Sequence, residues 1–462
     1  MMSHIDMELL KKYDKAGPRY TSYPTAPHFS TNFSLEDLEK ERTEAFEKRL
    51  SQPLSLYFHV PYCKAICAYC ACHTELSNDP ERIAKYVKTM RQELAQFAER
   101  FPTKRPVKQV HFGGGTPTHI GLPALEALMN DMHRYFCFAD DVEIAIEVDP
   151  RRVVSQDLTE LKKIGFNRIS FGIQDLDPKV QRAVGRIQSP ELCAQMVSDA
   201  HAAGFGSVNV DLIYGLPYQT LEGQRRTLDF VVEKIQPDRM AVFNFAYLPQ
   251  LRLNQEGIRP ETLPNGETKL LLLKQAIEVF TQGGYDFIGL DHFARPTDSL
   301  ARALREGRLH RNFQGYTTLH DVEIVGFGVS SISQFENVYY QNTKDEALYH
   351  SQILAGLPPL DRGIRLSADD HLRRHVIMAI LCQGNIVKSE IEKRFGIVFD
   401  SYFQDALQQM SEFVADGLLR MNDQSLEVTT QGRLFIRNIA MAFDGRLRQA
   451  TQGRQPTYSR TV

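Results

Sequence analysis

The sequence lacks any long apolar run. No stretch approaches the roughly 18 apolar residues that a helix needs to cross a bilayer. The start, Met-Met-Ser-His-Ile-Asp, has no basic residues followed by an apolar segment, so it does not resemble a secretory signal. We therefore expect a cytoplasmic protein that does not insert into a membrane.

An excess of charge of one sign is also missing. The 54 lysines and arginines nearly balance the 57 aspartates and glutamates, which leaves a net charge of -3 at pH 7. Such a balance gives no overall field that would attract nucleic acid or an anionic membrane. No heptad stripe or other strong signal of self-association is present either. We expect a monomer that binds no nucleic acid.

Cysteine is scarce and unevenly distributed. Four of the seven cysteines, Cys63, Cys67, Cys70 and Cys72, lie within ten residues of each other. A reducing cytoplasm disfavours structural disulfides, so this crowding favours metal ligation. The remaining three stand alone in apolar, helix-like surroundings, and we expect them to be small buried side chains. These three are Cys137, Cys193 and Cys382.

Helix-like and strand-like segments alternate after the cysteine cluster. The chain of 462 residues is long enough for two or three domains of roughly 150 residues, or for one large α/β barrel with additions. Short runs rich in β-branched and aromatic residues predict six strands. These runs cover residues 54–60, 107–112, 142–148, 168–173, 208–213 and 240–245.

A glycine followed by an aromatic residue ends several of the helix-like stretches. The pairs are Gly165-Phe166, Gly204-Phe205 and Gly284-Tyr285. Glycine supplies the left-handed conformation that terminates a helix, and the aromatic residue packs back on the last turn. Such a repeated helix-to-strand joint predicts parallel strands with right-handed crossovers, in a full or partial (β/α) barrel. An open doubly wound sheet is the alternative.

Polar or glycine-rich turns follow all six predicted strands. In parallel barrels the loops after the C-terminal strand ends build the active site, so we expect these turns to meet at one cavity. The turns cover residues 59–63, 113–117, 147–150, 174–175, 214–217 and 244–246.

The pattern changes beyond about residue 365. Ser367 is a good N-cap for a helix, and further helix-like segments precede a hairpin-like stretch with a turn at Asn422-Asp423. This order resembles a winged helix. The candidate recognition helix around Lys388 to Arg394 carries mixed charge, so we expect a packing or lid domain rather than a DNA-binding one.

The cysteine spacing is Cys63-x3-Cys67-x2-Cys70 directly after a predicted strand. Structural zinc prefers two separated pairs of ligands, and no second pair is present. A compact loop of three thiolates suits an iron–sulfur cubane in which the fourth iron lacks a protein ligand and can bind another molecule. A zinc knuckle with Cys72 or His73 as the fourth ligand remains the alternative.

These residues resemble a known superfamily. Cys-x3-Cys-x2-Cys after the first strand, with the glycine-rich turn Gly113 to Gly115 after the next, is similar to the signature of radical S-adenosylmethionine enzymes. Within that superfamily the chain resembles, over essentially its whole length, the oxygen-independent coproporphyrinogen III oxidases. The segments that carry this resemblance are Gly17 to Thr25, the extra Cys72, Asp291 to Pro296 and Arg311 to Thr318.

The resemblance implies an architecture. A partial (β/α)6 TIM-like barrel would cover residues 51–360. Residues 1–50 would form an N-terminal segment that covers the substrate, and residues 361–462 a mainly helical, winged-helix-like C-terminal domain.

The resemblance also implies the cofactor sites. Cys63, Cys67 and Cys70 would hold a [4Fe–4S] cluster, and Tyr57 would join them in the catalytic set. Two S-adenosylmethionine molecules would bind. The molecule on the open iron would meet Tyr57, Tyr69, Gly114, Glu147 and Ile332. The second would meet Gly115, Thr116, Gln174, Arg186, Asp211 and Ala246.

The chemistry implied is radical decarboxylation. An electron from a donor such as flavodoxin or ferredoxin would cleave S-adenosylmethionine to methionine and a 5'-deoxyadenosyl radical. That radical would take hydrogen from two propionates of coproporphyrinogen III in turn, and loss of carbon dioxide and an electron would leave the vinyl groups of protoporphyrinogen IX. Candidate propionate contacts are Arg19, Arg295 and Arg311, and Tyr20 and Tyr23 could close over the macrocycle.

One relative with another function shares much of this pattern. Haem-binding paralogues, which act as haem chaperones, have the three-cysteine motif and the barrel. They typically lack Cys72 and the Gly17 to Thr25 segment, and both are present here. We therefore expect the enzyme.

Overall fold

The computed structural model describes residues 6–450, 458 and 460. Within these residues a mixed α/β body contains one large sheet and many helices. Its helices are α1 Met7–Tyr13, α2 Leu35–Lys48, α3 Pro80–Arg100, α4 Leu122–Tyr135, α5 Ser155–Ile164, α6 Pro178–Ala183, α7 Pro190–Ala202, α8 Leu221–Phe230, α9 Gly266–Gln282, α10 Ser299–Arg305, α11 Glu346–Leu354, α12 Ala368–Gln383, α13 Lys388–Phe395, α14 Phe399–Tyr402, α15 Gln404–Ala415, α16 Ile436–Met441 and α17 Gly445–Ala450.

The strands alternate with these helices through the first two thirds of the chain. They are β1 Leu54–Val60, β2 Tyr62–Cys63, β3 Glu75–Leu76, β4 Pro106–Gly114, β5 Cys137–Val148, β6 Arg168–Gln174, β7 Ser207–Tyr214, β8 Arg239–Asn244, β9 Asp286–Gly289, β10 His292–Ala294, β11 His310–Asn312, β12 Gly315–Thr317, β13 Glu323–Phe327, β14 Ile332–Gln334, β15 Val338–Asn342, β16 Leu360–Arg365, β17 Asn385–Val387, β18 Leu419–Met421 and β19 Ser425–Val428.

The main sheet has the order β16-β15-β14-β13-β1-β4-β5-β6-β7-β8-β10-β9. All six predicted strands are present, and each is parallel to its neighbour in that series. A seventh parallel strand, β13, pairs with β1, and antiparallel strands extend both ends of the sheet. The predicted partial TIM-like barrel is confirmed, and in the described residues its two edge strands do not pair with each other.

The central strands are covered on both faces, as parallel strands between helices must be. Along β1, the side chains of Leu54, Leu56, Phe58 and Val60 are fully buried. The ring of Phe58 stacks on Phe112 and on Phe327, with centroid distances of 4.7 and 5.1 Å, so three neighbouring strands share one aromatic layer.

The predicted glycine joints end their helices in the left-handed region. Gly165, Gly204 and Gly284 have φ of 121°, 86° and 85°. The aromatic residue after each glycine donates its backbone N–H to a carbonyl five residues earlier, as from Phe166 to Leu161 at 3.1 Å. This closing bond fixes the angle at which the next strand enters the sheet.

The C-terminal region has the predicted order. The side chain of Ser367 accepts from the backbone N–H of Asp370, and Asp370 returns the bond, which begins α12 with a capping box. The strands β17, β19 and β18 form a small antiparallel sheet. Lys388, at the start of the candidate recognition helix, is buried and ion-paired with Asp400 at 2.7 Å, so it is not exposed to bind phosphate.

The domain boundary expected at residue 360 falls at the start of β16, which still belongs to the main sheet. The N-terminal segment contacts the C-terminal region rather than standing apart. Tyr13 stacks on Phe413 at 4.8 Å, and the guanidinium of Arg437 donates to the carbonyls of Gly17 and Pro18 at 2.6 and 3.1 Å. The N-terminal segment and the C-terminal region therefore stabilise each other through these contacts.

Two of the three isolated cysteines behave as predicted. Cys193 in α7 and Cys382 in α12 are buried. The prediction for Cys137 was wrong, because it is the first residue of β5 and is exposed. Among the described residues, the structure contains no helix with the length and apolar character needed to cross a bilayer.

Candidate active site

A cavity of about 840 Å³ opens at the C-terminal ends of the parallel strands. Residues from five of the six predicted turns line it, as expected. The turn at residues 214–217 does not, although Ile213 just before it does. Leu216 in that turn is instead fully buried in a cluster with Val184 and Phe245, against which Ala68 and Tyr69 pack. This turn therefore packs against the cysteine loop through Leu216 and supports its position.

The three motif cysteines lie on one short loop, and all line the cavity together with Cys72. The loop begins at β2, which pairs with β3, and Ser77 donates its backbone N–H to the carbonyl of Cys63. The backbone N–H of Cys70 donates to the carbonyl of Cys67 at 3.1 Å, which makes a tight turn between these two.

Asn254 anchors this loop from a distant part of the chain. Its side-chain amide lies 3.1, 3.1 and 3.0 Å from the carbonyl oxygens of Cys67, Ala68 and Cys70. Sequence reasoning missed this residue, because an asparagine in an irregular segment gives no signal of a partner so far away.

Two arginines face the thiol of Cys67. Arg186 Nη1 lies 3.6 Å from its Sγ and Arg151 Nη2 4.0 Å from it. Asp149 lies between the two, with carboxylate oxygens 2.7 Å from Arg151 and 3.5 Å from Arg186. On the other side, Thr116 Oγ1 is 3.4 Å from Cys63 Sγ. Two cations and one carboxylate therefore lie beside Cys67, and their net positive charge favours a bound anion there.

Tyr57 belongs to a hydrogen-bonded network beside the loop. Its hydroxyl lies 3.0 Å from Nδ1 of His59, and Nε2 of His59 lies 2.9 Å from the carbonyl of His73. Because a carbonyl only accepts, His59 carries its proton on Nε2 and accepts from Tyr57. Burial lowers the pKa of His59 to about 4, so the ring is neutral near pH 7.

Glu147 lies at the end of β5, close to this network. Its carboxylate oxygens lie 3.1 Å from Nε2 of His111 and 3.2 Å from the backbone N–H of Gly114. Burial alone would raise the pKa of Glu147, but these hydrogen bonds and the nearby imidazoles hold it below its ordinary value. Glu147 is therefore an ionised acceptor. His111, which the sequence reasoning missed, also stacks on Tyr57 at 5.9 Å.

Asp211 is the second carboxylate in the cavity wall. It accepts from Ser170 Oγ at 3.0 Å and from Asn209 Nδ2 at 2.9 Å. Burial, with the added charge of Glu147, raises the pKa of Asp211 to about 6. The pKa values of the two carboxylates are thus shifted in opposite directions, and near pH 7 both groups are mainly ionised and can accept hydrogen bonds.

We predict a measurable titration of Asp211. Its raised pKa means that the ionised form is disfavoured in the folded protein, so stability falls as pH rises from about 4 through about 6 and is level above that. Burial also raises the pKa of Asp175 to about 6, so the test compares wild type with Asp211→Asn, in which the Asp175 signal is common to both and cancels. The infrared difference between the two proteins should show one protonated carboxyl that ionises with a midpoint near pH 6. A midpoint near 4 would contradict the prediction.

The remaining predicted cofactor contacts divide into two groups. Tyr69, Gly114, Gly115, Thr116, Gln174, Arg186 and Ala246 line the cavity together with the two carboxylates. Tyr57 and Ile332 do not line it. Tyr57 stacks on His111, which does line the cavity, and Ile332 packs against the cluster of Phe29, Tyr339 and Leu366.

The predicted substrate contacts are also divided. Arg19 and Tyr20 line the cavity, and Arg19 pairs with Asp291 at 3.0 Å. Arg311 is buried just behind the wall. It donates to the carbonyl of Tyr20 at 3.2 Å, and its Nη1 has no hydrogen-bond partner among the described residues. Tyr23 lies outside the wall, where its carbonyl accepts from Tyr339.

Arg295, which was predicted to contact a propionate, does not line the cavity. Its guanidinium donates to the carbonyls of Pro237 and Gln236 at 3.1 Å each and covers the ring of Tyr285, so these contacts give it a structural role. The reason is direction. The strand β10 runs antiparallel to β8, and it carries Arg295 to the opposite end of the sheet from the cavity mouth.

The cavity reaches deep into the barrel, which the sequence did not predict. At its lower end Arg168 pairs with Glu143 at 2.6 Å, and Arg239 pairs with Asp298 at 2.8 Å. Arg168 and Arg239 stand at the start of β6 and β8, where sequence reasoning does not look for a site. The signal that could have found them is an arginine at the first position of two otherwise largely apolar strands, β6 and β8, which lie on either side of β7.

The cysteine loop fits an iron–sulfur cluster by the chemistry of its donors. Three soft thiols face one cavity beside two cations, and Asn254 fixes the backbone between them. No group of three or more histidine, cysteine or acidic side chains in the described part of the chain is arranged around a single metal ion, as a zinc knuckle would require. A cubane places each cysteine on a different iron and needs no such grouping.

A parallel partial barrel with this cysteine loop at its strand ends defines the class as a radical S-adenosylmethionine protein. Residues 57–231 match the Radical SAM superfamily, and residues 366–435 match the HemN C-terminal domain. A [4Fe–4S] cluster and S-adenosylmethionine are the cofactors of that class.

Comparison with individual proteins narrows the class to a family. The chain is 43% identical to the oxygen-independent coproporphyrinogen III oxidase of Salmonella typhimurium, over 99% of this chain and 98% of the relative, and 42% identical to that of Escherichia coli K12, with the same coverage. The solved structure of the Escherichia coli enzyme, described as a radical SAM enzyme, has a TM-score of 0.91 at 41% identity and covers 97% of this chain and 100% of its own. The chain belongs to the family of oxygen-independent coproporphyrinogen III oxidases.

Proposed function

We propose that this chain converts coproporphyrinogen III to protoporphyrinogen IX without oxygen, by oxidative decarboxylation of two propionate side chains to vinyl groups. Its family supports this, and one structural observation carries it. The cysteine loop, the carboxylates Glu147 and Asp211, and Arg19 of the N-terminal segment share a single cavity of about 840 Å³. Cofactor and a large carboxylated substrate can therefore meet in one cavity.

Cys63, Cys67 and Cys70 would hold the cluster, and with S-adenosylmethionine it would supply a 5'-deoxyadenosyl radical able to take one hydrogen atom from the β-carbon of a propionate. The substrate side chain then releases carbon dioxide and passes one electron to an acceptor, which leaves the vinyl group. The chain's own residues hold the propionate in place and keep water out of the cavity.

The residues on the cavity wall suit two S-adenosylmethionine molecules. For the first, ionised Glu147 can accept hydrogen bonds from an amino group, Gly114 exposes backbone, and Tyr69 offers an aromatic face. For the second, Asp211 can accept from ribose hydroxyls and Arg186 can hold a carboxylate. The contacts of Arg186 with Cys67 and with the carbonyl of Gly172 support a position between the two proposed sites.

Arg19 is the best-placed propionate contact. It lines the cavity at its mouth, its guanidinium is partly exposed, and Asp291 and the ring of Phe243 fix its direction. Arg311 supports the same segment through the carbonyl of Tyr20. The N-terminal segment thus brings a cation over the opening of the barrel, as a substrate cover requires.

We predict that Arg19→Gln raises the KM for coproporphyrinogen III about tenfold or more, because a charge-assisted hydrogen bond contributes about 1.5–3 kcal/mol. kcat should change less, since the radical chemistry lies deeper in the cavity. Arg295→Gln is a matched control from the same family segments, and its KM should stay within about twofold. Equal KM values for both variants would contradict the assignment of Arg19.

The proposed reaction is tested by an anaerobic assay with a reductant, S-adenosylmethionine and coproporphyrinogen III. We expect 5'-deoxyadenosine and protoporphyrinogen IX to form together. Protein with an intact cluster that forms neither product would overturn the proposal. Stable haem binding without turnover would instead favour the haem-chaperone alternative. Two features argue against that alternative, because both Cys72 and residues of the Gly17 to Thr25 segment are present and line the cavity.

The reaction needs a partner that delivers single electrons. We propose a small carrier protein such as flavodoxin or ferredoxin. We further propose a monomeric protein of the cytoplasm that binds neither nucleic acid nor membranes. The seven cysteines form no disulfide, which suits a reducing compartment.

A further inference from the structure

We propose that a groove on the outer side of the cysteine loop is the docking surface for an acidic, one-electron carrier protein. This outer groove lies between α3, the turn Pro117–Ile120 and residues 64–65, and encloses about 710 Å³. The inference rests on the proposed function, because only reductive cleavage of S-adenosylmethionine requires such a partner.

The outer groove lies close to the cysteine loop. Ala65, Thr116 and Asp149 line both the outer groove and the active-site cavity, so these residues form the wall between them. Thr116 Oγ1 is 3.4 Å from Cys63 Sγ. Because electron transfer slows steeply with distance, a carrier seated in this groove, one layer of residues from Cys63, is favourably placed.

The rim of the outer groove is cationic. Lys64, Lys88 and Arg152 are exposed, and none of them has an ion pair with a described residue, while Arg91 is paired with Asp131. The one carboxylate in the lining is Asp149, and its oxygens already face Arg151 and Arg186. Among the residues that line the outer groove, these three cations leave an excess of positive charge, on a chain whose net charge is -3.

The floor of the outer groove is apolar. Ile83 and Ile120 are half-buried there, Val87 lies beneath, and Pro80 and Pro123 stand at the edges. An apolar centre with a charged rim is the usual composition of a protein interface. A cationic rim selects a partner with an acidic face, and charge complementarity speeds the encounter of a transient complex.

The active-site cavity itself offers the carrier no equal approach. Residues Gly17 to Thr21 and Tyr458 line its mouth, and the same space must hold cofactor and substrate. A carrier on the outer groove can deliver an electron while cofactor and substrate occupy that cavity. The two surfaces thus divide substrate entry from electron entry.

Charge reversal tests the proposal. The variant Lys88→Glu/Arg152→Glu removes two rim cations, and the control Lys40→Glu/Lys104→Glu makes the same charge change at exposed lysines that line neither cavity. The probe is purified acidic flavodoxin, and its association with the cluster-loaded protein is followed by stopped-flow fluorescence. The rim variant should associate at least about tenfold more slowly at low ionic strength. The difference should shrink in salt, and equal rates for the two variants would overturn the proposal.

Zero-length cross-linking gives an independent readout. A carbodiimide joins carboxylates of the flavodoxin to lysine amines that they touch. Mass spectrometry should find cross-links at Lys64 or Lys88, and cross-links found only at other lysines would overturn the proposal.

A neutral reductant separates this inference from the proposed function. Photoreduced 5-deazariboflavin carries no charge, so turnover driven by it should agree within about twofold between wild type and the rim variant. A rim variant that also fails with this reductant has a damaged cluster site, which would count against docking. Failure of all proteins to decarboxylate coproporphyrinogen III would refute the proposed function, while the association and cross-linking results would still report on docking.

Discussion

Replacing Cys67 with serine is expected to abolish catalysis. Loss of a residue that only supports a metal ligand reduces activity by roughly 10–100-fold, and loss of a ligand itself should reduce turnover by more. Cys67 is 7% exposed, lies at the centre of the loop, and faces Arg186 and Arg151. A serine hydroxyl is a poor ligand for iron at neutral pH, because it stays protonated where a thiol ionises. Iron and sulfide content of anaerobically purified protein should fall together with 5'-deoxyadenosine formation.

Two other cysteines serve as controls for that variant. Cys72 lines the same cavity, yet we expect it not to bind the cluster, so Cys72→Ser should retain iron and sulfide. Cys137 is exposed at the start of β5, and Cys137→Ser should retain both cluster and activity. Full iron and sulfide in Cys67→Ser, or one zinc and no sulfide in the wild type, would contradict the assignment of the loop.

Most of the barrel could be predicted from local patterns. Six strands and three glycine joints have their physical cause within a few residues of sequence, namely burial on both faces and left-handed helix ends. The seventh parallel strand, β13, was missed because it is short and interrupted by Gly326. A Cβ there would lie 2.9 Å from the carbonyl of Ile332, so that glycine reflects a close approach of β14 that no local pattern shows.

The candidate site was predictable where motifs follow strand ends and unpredictable where contacts are distant. Glu147 and Asp211 stand at strand positions whose direction the parallel sheet fixes. Asn254 contacts the cysteine loop although it lies 184 residues after Cys70 in the sequence. An asparagine in an irregular segment does not by itself predict such a contact. Arg295 was misplaced because an antiparallel edge strand reverses direction, which the family motif around it does not reveal.

Replacing Gly115 with alanine is expected to have the second largest effect. A Cβ at this position would lie 2.6 Å from the carbonyl oxygen of Pro61 and 2.8 Å from that of Tyr62, and both contacts are backbone. No side chain can rotate away, so the turn after β4 must separate from the segment that enters the cysteine loop. That separation would break the hydrogen bond from Gly115 N–H to the Val60 carbonyl, at 2.7 Å, and the one from Thr116 N–H to the Tyr62 carbonyl, at 2.9 Å.

The consequence is larger for catalysis than for folding. Overpacking of this kind costs about 1–3 kcal/mol of stability, which a domain of this size can survive. A displacement of about 1 Å between Thr116 and Cys63, in contrast, is enough to reduce turnover about 100-fold. We expect Gly115→Ala to purify folded, by circular dichroism, but with little 5'-deoxyadenosine formation. Gly257→Ala is the matched control, since no atom lies within 4 Å of its Cβ position and its φ is not in the left-handed region, and it should retain activity. Wild-type turnover in Gly115→Ala would show that the two turns move independently, and it would remove the glycine-rich turn from the proposed cofactor site.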